Sequence, residues 1–203
     1  MEDQLFSRPD PLHLGILLSL YAGLRIGEVC ALQWGDFHFD NGTVAVNKTL
    51  LRIRNMAPGA KCRTKLVIDK PKTQCSNRII PLPEFLVPYL LAQRQGPEVY
   101  VLTGKRHFME PRVCLERYKR VLRLAGVQPY TFHTLRHTFA TRCVENGVDI
   151  KSLSEIMGHS NVTVTMQRYV HPSMDLKREQ MNKLSSMAIR GQSSSQEEHR
   201  MLG

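Results

Sequence analysis

The hydrophobic period changes twice along this chain of 203 residues, and those changes limit the folds open to it. Asp10-Pro11 pairs an N-cap with proline in the first turn, and Leu14, Leu17, Leu18 and Leu20 to Leu24 follow at helical spacing. The spacing predicts a helix ending near Gly23, then a short helix over Ile26 to Leu32 with Trp34 packed behind it. Strand signals come next. Asp40-Asn41-Gly42 is a hairpin turn signal, and Val44, Val46, Leu50 to Ile53, Leu66 to Ile68 and Arg78 to Ile80 read as strands. Residues 37–82 are expected to form a small antiparallel sheet, with a loop at Ala57-Pro58-Gly59 and Lys72 on the connection before the last strand. From Glu84 onward helical patterns return, near 84–95, 111–125, 133–146, 150–157 and 162–170. Asn146-Gly147 is a C-cap signal and Asp149 an N-cap signal. The expected class is α+β: mainly helical, around one small antiparallel sheet. A last helix is expected over about 174–187, and the Ser/Gln/Glu-rich end, 191–203, reads as a disordered tail.

Composition narrows the partners. Lys and Arg total 28 against 18 Asp and Glu, a formal charge of +10, which favours a polyanion such as nucleic acid. The five cysteines are odd in number and form no CxxC pair, which speaks against a disulfide framework or a zinc site and for reduced thiols. The acidic, polar start MEDQLFSRPD is no secretory signal, and the apolar run Ile16 to Tyr21 is too short to span a bilayer. The expectation is a cytoplasmic protein with no membrane partner.

Breaking a phosphodiester without a metal needs an attacking group, a proton donor for the leaving oxygen, and cations that neutralise charge on the equatorial oxygens. His133-Thr-Leu-Arg136-His137-Thr-Phe-Ala-Thr-Arg142 offers part of that set. His133 and Arg136 share a face at the start of a helix, whose N-terminal partial charge suits a phosphate. Two other readings compete. His133 and His137 have the i, i+4 spacing of a zinc pair, but Thr134 stands where the HExxH motif has Glu, and no third ligand is evident. A helix-turn-helix DNA reader would fit the helix-Gly-helix texture but not the remaining residues.

Three blocks carry a resemblance. The first is YAGLRIGEVCALQW, from Tyr21 to Trp34; the second is PKTQCSNRIIPLP, from Pro71 to Pro83. The third runs from Phe132 to His171, with HTLRHTFAT and then IMGHSNVTVTMQRYVH. Over about residues 10–175 the chain resembles the catalytic domain of the tyrosine recombinases, or phage-type integrases, of the kind found in conjugative transposons and prophages. The resemblance implies that Arg25 and Arg136 bind the non-bridging oxygens of the scissile phosphate through their planar forks. It implies that Lys72 protonates the departing 5′ oxygen, that His133 and His159 hydrogen-bond the phosphate and assist proton transfer, and that Tyr169 is the nucleophile of a 3′-phosphotyrosyl link. Glu28 then supports the site from behind by orienting a neighbour. His137 is assigned to packing or support, His171 to structure, and Met157 and Met166 to the core. Converging arginines and histidines are expected to favour the Tyr169 phenolate. No base for its proton is identified.

No cofactor and no metal are expected. The implied partners are double-stranded DNA and, for a full-length protein, three further copies in a tetramer, with the 174–187 helix docking on a neighbour. The isolated domain is expected to be a monomer. One catalytic domain is expected over 1–190, without the N-terminal DNA-gripping domain usual in the family. The function that follows is strand cleavage and rejoining for integration or excision of a mobile element. The alternatives are a type IB topoisomerase-like enzyme and a DNA-binding protein without catalysis.

Overall fold

Helix α2 (Pro11–Ala22) is buried on every side, and its surroundings follow from that. A helix that is apolar all round must be enclosed by other elements. Leu12, Leu14, Ile16, Leu17, Leu18, Leu20 and Ala22 all lie in the core. Asp10 caps the start, its carboxylate accepting from the Leu12 amide at 2.7 Å. Gly23 ends the helix in the left-handed region, φ 66°, where a side chain is disfavoured. The computed structural model describes residues 2–7, 10–56, 62–69 and 77–169, and beyond them 174, 178, 181 and 182. Lys72, Cys75, His171, the 57–59 loop and the 191–203 tail lie outside the described residues.

The chain divides into two units, Met1–Tyr169 and Val170–Gly203. In the second, Met174, Arg178, Met181 and Asn182 are helical, within the span where a last helix is expected. The first unit opens with α1 (Glu2–Ser7), which carries too few apolar residues to announce itself as a period. Its Leu5 is fully buried, and Phe6 joins an aromatic cluster with Tyr21, Phe85 and Tyr89. Helix α3 (Ile26–Ala31) follows α2, and a single 3-10 turn at Trp34–Asp36 puts Trp34 in the core.

The strands divide into two antiparallel sheets rather than one. Strands β1 (Phe37–His38), β2 (Thr43–Val46) and β5 (Arg78–Pro81) pair in the order β1-β2-β5, with Val44 opposite Ile80. Strands β3 (Thr49–Arg54) and β4 (Thr64–Asp69) pair only with each other. Both edges of β2 are taken by β1 and β5, so β3 finds no place beside it. The inward face of the first sheet is Val44, Val46, Ile80 and, unexpectedly, Arg78. Among the residues of strands β3 and β4, only Leu50 is buried.

Helix α4 (Leu86–Leu91) is shorter than the expected 84–95. Past it, Gln93 and Arg94 donate to the carbonyls three residues back, so the helix tightens into turns. Helix α5 (Pro111–Leu124) buries Cys114, Tyr118 and Leu122 and exposes Arg112, Arg117, Lys119, Arg120 and Arg123. Helices α6 (Phe132–Glu145), α7 (Ile150–Met157) and α8 (Val162–Tyr169) complete the unit. Met157 is core, as expected, but Met166 is 49% exposed. Helix α8 turns Thr165 inward, and the next residue points a third of a turn away. Cys30, Cys62, Cys114 and Cys143 are free thiols. Among the described residues, no helix is long and apolar enough to cross a membrane.

Candidate active site

Arg136 lies on the second turn of α6 and is 2% exposed. A buried guanidinium must find acceptors for its N–H groups. Helix ends supply them, because their last carbonyls have no partner within the helix and carry the negative end of its dipole. Nη1 donates to the Gly23 carbonyl just past α2, and Nη2 to the Met157 carbonyl at the end of α7. Arg136 therefore closes two helix C-termini at once. Burial, and then the charge of Arg25, push its pKa down to about 9, so it remains charged at neutral pH.

Two further arginines bind the same end of α7. Arg25 Nη2 donates to the Gly158 carbonyl at 3.2 Å, and Arg78 Nε to the Ile156 carbonyl at 2.6 Å. Three successive carbonyls, Ile156, Met157 and Gly158, thus accept from three arginines on β5, α6 and the α2–α3 turn. Gly158 makes this possible by ending α7 with φ 62°.

Glu28 lies behind this array and is 6% exposed. It accepts from the Arg25 amide at 2.8 Å and from Arg25 Nη1 at 2.9 Å. It also accepts two bonds from Arg78, at 3.0 and 2.9 Å. Burial alone would raise its pKa; Arg78 and Arg25 outweigh that and hold the carboxyl below its ordinary range. Glu28 thus fixes the direction of Arg25, whose side chain stays 39% exposed and open to solvent. A cleft of about 680 Å³ adjoins it, lined among others by Arg25, Thr49, Arg52, Glu110 and Arg112.

His159 follows Gly158 directly. Its Nε2 lies 3.1 Å from Arg136 Nη2, and its Nδ1 lies 2.8 Å from Thr165 Oγ1. A guanidinium has donors only, so Nε2 accepts and the proton sits on Nδ1, which donates to the threonine. Burial, then Arg136 and Arg25, push the His159 pKa down to about 4, in keeping with a neutral ring.

Tyr169, the last residue of α8, is half-buried, and its hydroxyl lies 2.9 Å from His137 Nδ1. His137, assigned from the sequence to packing or support, is therefore in direct contact with the tyrosine. His133, one turn earlier and exposed, packs edge-on against it at 4.4 Å between ring centroids. Burial lowers the pKa of both histidines, and Arg136 and Arg168 add to it. The Tyr169 pKa is raised, contrary to the expected phenolate: burial outweighs Arg136 and Arg168, and the phenol keeps its proton.

The structure brings Arg25, His133, Arg136, His159 and Tyr169 into one cationic site, with Glu28 behind it and His137 against the tyrosine. Lys72 lies outside the described residues. Arg78 and Thr165 escaped sequence reasoning. The signal for Arg78 was its inward register with Ile80, since a charged residue on a buried face needs a partner. Among the described residues, no group of three or more His, Cys, Asp or Glu side chains is placed to hold a metal ion.

Residues 3–175 match the family described as "Phage integrase family". A "Tyrosine recombinase XerC-like" protein of Caldanaerobacter subterraneus subsp. tengcongensis is 31% identical over 172 residues, 76% of this chain and 44% of that protein. The transposase from transposon Tn916 of Enterococcus faecalis is 28% identical over 191 residues, 84% of this chain and 44% of its own length. The Tn1549 transposon integrase, solved in complex with transposon right end DNA, superposes with a TM-score of 0.68 at 29% identity, covering 91% of this chain and 64% of the other. The chain spans about half the length of the curated relatives it matches.

Proposed function

The chain belongs to the phage integrase family, and we propose that it carries the strand-cleaving and rejoining chemistry of a site-specific recombinase acting on double-stranded DNA. The observation that supports this reading best is that Arg25, Arg136 and His159 meet at the end of α7, while the Tyr169 hydroxyl, within the field of Arg136, contacts His137, whose ring packs on His133. The chemistry follows from those parts. The Tyr169 oxygen attacks the scissile phosphorus and forms a 3′-phosphotyrosyl ester, and the P–O5′ bond breaks. Arg25 and Arg136 hold the non-bridging oxygens, where charge builds in the transition state. Lys72, whose ordinary pKa of about 10.4 leaves it charged at neutral pH, protonates the departing 5′ oxygen. The ester conserves the energy of the phosphodiester, so a free 5′ hydroxyl reverses the step without ATP.

Glu28 acts through Arg25, and His159 through Arg136. When a phosphate oxygen takes the Arg136 donor, His159 binds the same phosphate by carrying its proton on Nε2, with Nδ1 then accepting from the Thr165 hydroxyl. The assembly that serves this chemistry is a DNA-bound tetramer in the cytoplasm, at the nucleoid, and the outcome is integration or excision of a mobile element. The relatives named for transposons support that outcome.

The test is a nicked suicide substrate incubated with the protein in EDTA and resolved on a denaturing gel. A covalent protein–DNA band that disappears with Tyr169→Phe is expected. No band under any condition would instead favour DNA binding without catalysis. Relaxation of supercoiled DNA without site preference would favour a topoisomerase.

A further inference from the structure

The proposed reaction leaves one proton unassigned, the one on the Tyr169 hydroxyl. We propose that His137 accepts it, acting as the general base for attack by Tyr169. This rests on the reading of Tyr169 as nucleophile. His137 Nδ1 lies 2.9 Å from the phenol oxygen, within the reach a proton transfer needs. His159 is less available, because both its ring nitrogens are engaged, one by Arg136 and one by Thr165. The His137 ring is steadied by the edge of His133 at 4.4 Å, with an interplanar angle of 87°.

The surrounding charges decide when this base can work. Facing His137 are Arg136 and His133 on its own helix and Arg168 and Tyr169 on α8. A proton taken up by His137 adds a cation beside two guanidiniums, which is unfavourable while the site holds no anion. A bound phosphodiester brings one negative charge, and the transition state spreads more over its oxygens. The transfer therefore becomes favourable only with DNA seated, and the resting phenol stays protonated. In the step itself the O–H bond of Tyr169 breaks, its proton goes to His137 Nδ1, the phenol oxygen bonds to phosphorus and the 5′ oxygen leaves. Religation returns the proton from the imidazolium to the tyrosine.

Single-turnover cleavage of a nicked suicide substrate tests this, with a normal 5′ oxygen or a 5′ bridging sulfur as leaving group. His137→Asn and His137→Gln are each expected to slow cleavage by roughly 10²–10⁴-fold. The sulfur substrate should not rescue them, because a thiolate leaves without an acid but still needs a deprotonated tyrosine. The rise of rate with pH should flatten, and added imidazole should restore cleavage by His137→Gly. Circular dichroism and DNA affinity matching the parent protein identify the folded variants to be scored. Cleavage by either folded variant within a few-fold of the parent, with its pH rise intact, overturns the proposal. A slow variant that keeps the pH rise and ignores imidazole also overturns it, since that marks a positioning role. Tyr169→Phe is run alongside. If it still forms the adduct, or the parent forms none, the nucleophile reading fails first; if both behave as expected, only the role of His137 is at stake.

Discussion

Glu28 and Arg78, 50 residues apart in sequence, meet as a two-point ion pair at 2.9 and 3.0 Å, each with a side chain only 6% exposed. Arg78 also binds the Ile156 carbonyl, so the pair ties β5 to α7, while Glu28 holds Arg25. Removing one member strands the other as a buried charge. Glu28→Ala should lower unfolding free energy by about 3–5 kcal/mol, read from urea denaturation. Glu28→Met with Arg78→Met should recover much of that, because the stranded charge is gone. Recovered stability would not bring back adduct formation, since Arg25 would still have lost its guide.

Gly23 combines a left-handed backbone with a crowded surrounding. A Cβ there would lie 2.6 Å from Phe139 Cδ1, and φ is 66°. Gly23→Ala should therefore destabilise by about 2–4 kcal/mol, the sum of left-handed strain and overpacking. The carbonyl that Arg136 binds belongs to this residue. Adduct formation should fall at temperatures where the variant is still folded by circular dichroism.

Acid should weaken the fold through His159. Its folded pKa is depressed to about 4, below an ordinary value of about 6.5. The unfolded chain then binds the proton more readily than the folded one. Stability from this group is complete above about pH 6.5 and is lost as pH falls toward 4. Urea midpoints measured from pH 7.5 down to pH 4 should decline for the parent and decline less for His159→Gln. Equal slopes in the two proteins would contradict a folded-state His159 ring held neutral.

Much of this was legible in the sequence, for reasons that differ by element. The helices α5 to α8 announce themselves by period and caps, as at Asp149, whose carboxylate accepts from the Ser152 amide. The sheet was mis-partitioned because alternation marks a strand but not its partner, and β2 leaves no edge for β3. Arg25, Arg136, His159 and Tyr169 stood out by motif. The contact of His137 with Tyr169 spans 32 residues and depends on how α8 crosses α6, which no spacing rule gives. The sign of the Tyr169 shift was also beyond reach, because counting cations omits burial.

Arg136→Lys separates charge from geometry. Lysine keeps the positive charge but has one nitrogen, where the arginine fork reaches the Gly23 and Met157 carbonyls together and also His159. One helix end would then lose its cap, and a compact ammonium at a site built for a planar group would be poorly placed against a phosphate oxygen. Loss of one aimed donor at a developing oxyanion lowers rates by about 10²–10³-fold. Single-turnover adduct formation by Arg136→Lys should fall by that order, while salt-dependent DNA affinity, set by total charge, changes little. A variant that loses affinity while its single-turnover rate on saturating DNA is unchanged would show that Arg136 serves ground-state binding and not the transition state.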